Sequence, residues 1–435
     1  MNTTFLELRE TLDKIPIFDT HEHFLNPAFL ADGQNTLLRI FKNSYLAADC
    51  ISAGMDASWW QQGSIIHGPI DLDRHHTISP LDVDQLMFYV DRVKNTAYAR
   101  ALFSGIRTLH NIDEELDPTT WETFSTIVQR NYEQGEWFDS ALESLGIRHV
   151  IWDSYFTIEN PVPWSKLISL DFHTDDFIDY PWAHPVEGKS AAQIAKTWGV
   201  DVKSLKDLLQ AIDTGFMRYK DRGAIAAKIG VAYRRSLRFD DASEEDANQA
   251  FIKLQKNYNE SDTIVLGNYT VRHIIQRSIE TGMVVQIHTG YQCGYLDQGR
   301  PTHLVNLIQE FPRAKFVLFH GGYPYSDEAG LLAKTFPNVY LDLCWMPLLS
   351  PSMTCMMLER WIDLVPQNKI MWGGDVWSVE DCCGAVLLFK DTLAKVLGNL
   401  IKSVGLPKGE AFNIAERIMY QNAIELFEID SKLNN

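Results

Sequence analysis

The chain has 435 residues, 46% hydrophobic and 22% charged, an ordinary globular composition with ample apolar material for a large core. The 57 acids outweigh the 39 bases and leave a formal net charge of −18, which favours solubility and repels phosphate backbones, so nucleic acid is not an expected partner. No window approaches roughly 18 uninterrupted apolar residues, so no membrane partner or span is expected either.

The N-terminal stretch beginning Met1-Asn2-Thr3-Thr4-Phe5 lacks the basic region and apolar run of a secretion signal. The six cysteines, Cys50, Cys293, Cys344, Cys355, Cys382 and Cys383, show no CxxC pairing. Scattered reduced thiols in a cytoplasmic protein are the expectation.

In chain order, a short apolar run ending in a polar residue recurs eight times. The first four runs are Pro16–Asp19, Arg148–Asp153, Leu167–Asp171 and Ala224–Ile229. The last four are Met283–His288, Lys315–His320, Val339–Leu343 and Lys369–Asp375. Near-continuous apolar strands belong to parallel sheets covered on both faces. Helical patterns separate them, as in the Leu304–Ile308 stripe before Pro312 and in Ala329–Phe336. The reading is α/β, a (β/α)8 TIM barrel forming a single domain over residues 1–435.

Two inserts interrupt the alternation, at about residues 25–145 after strand one and 173–222 after strand three. The first looks largely helical, with patterns at Pro80–Val93, Ala97–Leu109 and Thr119–Gln134. Both leave the C-terminal face of the barrel, where active sites lie. They are expected either to wall the site or to serve as packing and homo-oligomer contacts.

His21 and His23 stand two apart at the end of the first strand, a spacing that puts both imidazoles on one side. His288 and His320 end strands five and six, before Thr289-Gly290 and Gly321-Gly322, and Asp375 ends strand eight after Gly373-Gly374. Polar groups at several strand ends converge on one face of a barrel. Imidazoles with one carboxylate suit a divalent ion, zinc first and manganese second. Lys228 stands in the apolar run of strand four, where an unpaired ammonium is costly to bury. Three readings of it are open: a carbamylated bridge between two metals, a cation paired with an acid or a substrate carboxylate, or a side chain snorkelling out of the barrel end.

Around this set, Tyr233, Arg234 and Arg235 follow strand four; one of the arginines can clamp a carboxylate bidentately, or both can be solvated surface groups. Tyr323 and Tyr325 can line the mouth. Trp345 can stack on a ring or sit in the core. Trp59-Trp60 and His75-His76, in the first insert, can cap the pocket or simply pack.

The motifs together resemble the amidohydrolase superfamily, in particular its amidohydrolase-related branch of metal-dependent barrel hydrolases and decarboxylases. The resemblance is most specific from Met283 to Asp375, through VVQIHTGYQ, KFVLFHGGYPYSDEAGLLAKTFPNVYLDLCW and KIMWGGD in order. The closing YQNAIELFEI, Tyr420 to Ile429, is similar to the family's terminal helix. AAKIGVAYRRSL, Ala226 to Leu237, is similar to a subgroup related to the amidohydrolase-like domains fused to glutamine synthetase homologues. IFDTHEHF with its helical insert also resembles uronate isomerases, which share the barrel but exchange aldose for ketose.

The resemblance implies roles. His21 and His23 are ligands of a first metal, and Asp375 contacts that metal and shuttles a proton. His288 binds the same ion or a second one. His320 binds a second ion or hydrogen-bonds the substrate, and Lys228 bridges only if carbamylated. One or two ions per chain are therefore expected. The implied reaction is attack of metal-activated water on an amide, lactone or ester of a small anionic molecule. The alternatives are a decarboxylase of an unsaturated or aromatic acid, a uronate-isomerase-like enzyme, or a barrel that has lost catalysis. Gly373-Gly374 departs from the pattern, since relatives often carry Ser-Thr there; the expected effect is on the pocket floor rather than on metal binding.

Overall fold

Eight parallel strands follow one another around a single sheet in the computed structural model, in the order β1 to β8. The structure describes residues 3–31, 35–56, 83–154, 158–179, 190–291 and 296–429. Trp59, Trp60, His75, His76, Cys293 and the 80–82 start of one predicted helix lie outside them.

The strands are β1 Ile17–Glu22, β2 Ile147–Asp153, β3 Ile168–His173, β4 Ala224–Ile229, β5 Val284–Ile287, β6 Phe316–Leu318, β7 Val339–Asp342 and β8 Ile370–Met371. Each coincides with one predicted apolar run. Backbone bonds close the barrel between its last and first segments: Thr20 N–H to Trp372 O (3.2 Å), Asp375 N–H to His21 O (2.8 Å) and His23 N–H to Val376 O (2.9 Å).

Within the barrel, Phe18, Ile151, Ala226, Val284, Val317 and Met371 form a buried apolar layer. Leu426 and Phe427 of the Asn422–Phe427 helix join it, and Phe427 stacks on Phe18 at 5.7 Å. Two positions further along the same strand faces stand Asp153, Lys228 and Gln286. A polar layer therefore sits on an apolar floor, at the C-terminal ends of the strands.

Strands β6 and β8 are shorter than their sequence runs, and the chain after each leads to a left-handed residue at the site. His320 and Asp375 adopt left-handed backbone conformations, φ 62° and 64°, as does Trp345 after β7, φ 66°. A left-handed residue cannot continue a strand ladder, so neither strand could run on through His320 or Asp375. Such strained non-glycine conformations gather at functional sites.

The first insert is helical: Pro27–Ala31, Thr36–Lys42, Leu46–Ser52, Val83–Val93, Ala97–His110, Trp121–Tyr132 and Trp137–Ser144. Its Ala97–His110 helix lies backbone to backbone against Val379–Ser403, the helix after β8. A Cβ at Gly105 would stand 1.8 Å from Glu380 O, and one at Gly384 would stand 2.2 Å from Ala101 O. The same crossing holds a buried polar cluster in which His110 Nε2 meets Glu380 Oε1 at 2.9 Å and Tyr132 donates to Glu380 Oε2 at 2.9 Å. After β3 come the short helices Asp175–Asp179 and Ala191–Thr197, then Leu205–Asp221. This last helix packs on β3 and β4, so it is the ordinary crossover rather than inserted material. Cys50, Cys344, Cys355, Cys382 and Cys383 are free thiols. Among the described residues, no helix is long and apolar enough to cross a membrane.

Candidate metal centre

The Nε2 atoms of His21 and His23 lie 3.6 and 3.2 Å from the same oxygen, Oδ1 of Asp375. β1 delivers the two imidazoles and the turn after β8 delivers the carboxylate. Asp375 Oδ2 faces His320 Nδ1 at 3.7 Å, and His320 Nε2 meets His288 Nδ1 at 2.9 Å. Four imidazoles and one carboxylate from β1, β5, β6 and β8 are thus in contact, all but His23 fully buried.

Partners fix the tautomers. His320 Nδ1–H donates to the Cys344 carbonyl at 3.1 Å, which leaves its Nε2 as an acceptor for His288 Nδ1–H. His288 Nε2 is then a buried lone pair, and it has no hydrogen-bond partner. Burial and neighbouring basic groups depress His288 and His21 well below the usual imidazole range, and burial lowers His320 to about 4. These imidazoles are neutral at pH 7, the form that binds a cation. Burial would raise Asp375, but the hydrogen bond from His23 and nearby basic groups outweigh it and hold the carboxyl below its usual value. A partnerless buried imidazole lone pair, neutral neighbours and an ionised carboxylate fit a divalent ion. His21, His23 and Asp375 would hold it, with His288 next.

Lys228 does not snorkel. It is buried, with Nζ 2.9 Å from His21 Nε2 and 4.6 Å from the centre of the Phe319 ring.

The residues expected to read the substrate are placed as follows. Tyr233 is partly exposed and its ring lies 4.5 Å from His288. Trp345 meets His320 edge-on at 5.6 Å and stacks on Tyr291 at 5.6 Å. Tyr323 is half-buried beside His320, its N–H bonded to the His320 carbonyl at 3.1 Å. Arg234 spans Asp175 (3.0 Å) and Asp179 (3.3 Å) at the rim. Arg235 turns away from the site: it is buried, donates to Asn268 at 2.6 Å and lies over Phe239. The Tyr325 ring carries the Arg300 guanidinium at 4.6 Å.

Four further residues join the site. Asp153, at the end of β2, lies 3.9 Å from His23 Nδ1 and bonds His173 at 2.9 Å. His173, at the end of β3, also faces Asp175 at 3.4 Å. Asp171 Oδ2 lies 3.7 Å from His21 Nδ1. Asp153 and Asp171 end predicted strands, the same signal that singled out His288, and were legible on that ground; His173 lies two residues past the predicted end of strand three. Tyr45 comes from the first insert and packs on Tyr98, Trp345 and Trp377 at 5.0–5.4 Å. Burial raises its hydroxyl well above the usual value, with the Asp375 charge acting in the same direction. No local pattern marks it.

Comparisons with known proteins agree with this architecture. Protein fluG of Emericella nidulans is 25% identical over 228 residues, 49% of this chain and 26% of that protein, so the chain spans about a quarter of that relative's length. Uronate isomerase of Thermotoga maritima has a similar fold, with TM-score 0.78 and 15% identity, covering 98% of each chain. Glucuronate isomerase of Caulobacter crescentus gives TM-score 0.78 and 16% identity over 99% of this chain and 94% of that one. A structure described as a metal-dependent hydrolase of Lactobacillus casei gives 0.65 and 17% over 97% of both. At these identities the three structures share the fold. Residues 149–429 match the amidohydrolase family, from β2 through Lys228, His288, His320 and Asp375 to the terminal helix, and the chain belongs to that family.

Proposed function

We propose that the protein is a metal-dependent hydrolase that cleaves an amide, lactone or ester bond in a small anionic molecule. The observation that carries this reading is the convergence of His21 Nε2 and His23 Nε2 on Asp375 Oδ1. His21, His23 and Asp375 would hold a divalent ion, zinc first, which would supply an activated water and a polarised carbonyl.

The chain's own groups do the rest. Asp375 is an ionised, buried carboxylate and can take a proton from the attacking water and return it to the leaving group. His320, fixed by the Cys344 carbonyl, is held against Asp375 and orients it. Lys228, on strand four, favours an anionic substrate, whereas Arg234 is already paired with Asp175 and Asp179. Tyr233, Tyr323 and Trp345 flank His288 and His320 and would contact its body.

The Tyr45 hydroxyl, under the influence of the Asp375 charge, favours a second reading. A carboxylate base and a neutral phenol near the same site suit the proton transfer between adjacent carbons that aldose–ketose exchange needs. The test is a panel of lactones, N-acyl amino acids, dipeptides, uronic acids and aromatic acids, run with zinc- and manganese-loaded protein. Hydrolysis of a panel member is expected. Turnover confined to uronic acids would select the second reading, and full activity in metal-free protein would overturn both.

A further inference from the structure

The turn that carries Asp375 is held from below by two carboxyl groups that do not reach the site. Three successive backbone N–H groups of this turn bond to β1: Gly374 N–H to Asp19 Oδ1 (3.0 Å), Asp375 N–H to His21 O (2.8 Å) and Val376 N–H to Glu22 Oε2 (2.7 Å). Asp19 Oδ1 also accepts from His21 N–H at 3.2 Å. One carboxyl oxygen each of Asp19 and Glu22 lies within 4.8 Å of the other. Both residues are fully buried. Cys382, in the following helix, places its thiol 3.8 Å from Asp19 Oδ2.

This arrangement accounts for the glycine pair before Asp375. A Cβ at Gly374 would stand 2.1 Å from Glu22 Oε1, and a Cβ at Gly373 would stand 2.7 Å from Thr20 Oγ1. The side chain of Glu22 fills the volume that a larger residue at 374 would need.

We propose that Glu22, acting with Asp19, is a positioning residue: it clamps the amides on either side of Asp375 and so fixes the left-handed turn that aims the carboxylate at His21 and His23. It acts through Asp375 and touches no substrate. The inference rests on the metal-site reading for its consequence, but the clamp itself is a property of the metal-free fold.

Glu22→Gln keeps an acceptor for the Val376 N–H, whereas Glu22→Ala removes it. The metal-independent readout is hydrogen exchange at the Gly374 and Val376 amides of the folded protein. Protection is expected in the parent and in Glu22→Gln, and at least ten-fold faster exchange is expected in Glu22→Ala. With cobalt(II) as the probe, Glu22→Ala should bind 10- to 100-fold more weakly, as loss of outer partners usually entails, with an altered visible spectrum; Glu22→Gln should match the parent. Gly374→Ala should also weaken cobalt binding, and the Glu22→Ala/Gly374→Ala pair should be no worse than Glu22→Ala alone, because the clash partner is gone. Parental exchange rates in Glu22→Ala, a Glu22→Gln variant as impaired as Glu22→Ala, or strictly additive losses in the pair would overturn the clamp. A parent protein that takes up no cobalt would instead count against the metal-dependent reading, and the exchange rates would still decide the clamp.

Discussion

Lys228 Nζ and His21 Nε2 are 2.9 Å apart, so the β4 cation donates to the imidazole that also faces Asp375. The lysine therefore belongs to the centre itself. Lys228→Met keeps the apolar stem and removes the donor. We expect this variant to retain one equivalent of divalent ion on His21, His23 and Asp375, and to lose turnover by about 10²-fold or more. Metal analysis beside kinetics checks this. A fall from two equivalents to one would assign Lys228 a bridging role instead.

Asp375→Asn preserves shape and removes the base. Turnover is expected to fall by about 10²–10⁴-fold, the usual range for a lost general acid–base group, while the fold is retained. Circular dichroism and the same substrate panel test it; an active Asp375→Asn enzyme removes this carboxylate from the chemistry.

His173 gives the fold a pH dependence on the alkaline side. Burial alone would lower its pKa, but the Asp153 and Asp175 carboxylates outweigh burial and push it up to about 10. A histidine raised above its unfolded value of about 6.5 contributes stability that is complete below that value and is lost as pH rises through about 10. The stability difference between parent and His173→Gln should therefore shrink between those limits. Denaturant unfolding at several pH values measures it, and a difference that stays constant would count against a charged His173.

At the crossing of the Ala97–His110 and Val379–Ser403 helices, Gly105 and Gly384 leave no room for a methyl group. Gly105→Ala should destabilise by about 1–3 kcal/mol through overpacking. Thermal unfolding checks this, and an unchanged midpoint would show that the two helices separate freely.

The barrel was legible because each strand is an apolar run with a polar end, and all eight runs became strands in sequence order. His21, His23, His288, His320 and Asp375 were legible for the same reason: each sits where a strand stops. The lengths of β6 and β8 were not, and neither were the left-handed conformations at His320 and Asp375, which tertiary contacts impose rather than local propensity. Arg234 reads as a free clamp in the sequence, but Asp175 and Asp179, 59 and 55 positions away, occupy it. Tyr45 reaches the site from a helical insert with no periodic signature, so only the folded chain reveals it.

The contacts that close β1 onto β8 join parts of the chain as distant as Asp19 and Gly374, 355 positions apart. The entropic cost of closing a loop grows only slowly with its length, but pairings so distant in sequence are among the slowest to form. During synthesis, the two histidines emerge from the ribosome long before their carboxylate exists. A site built from β1 and the turn after β8 can hold an ion only once both ends of the barrel have met, so bound metal would report that the whole barrel is complete.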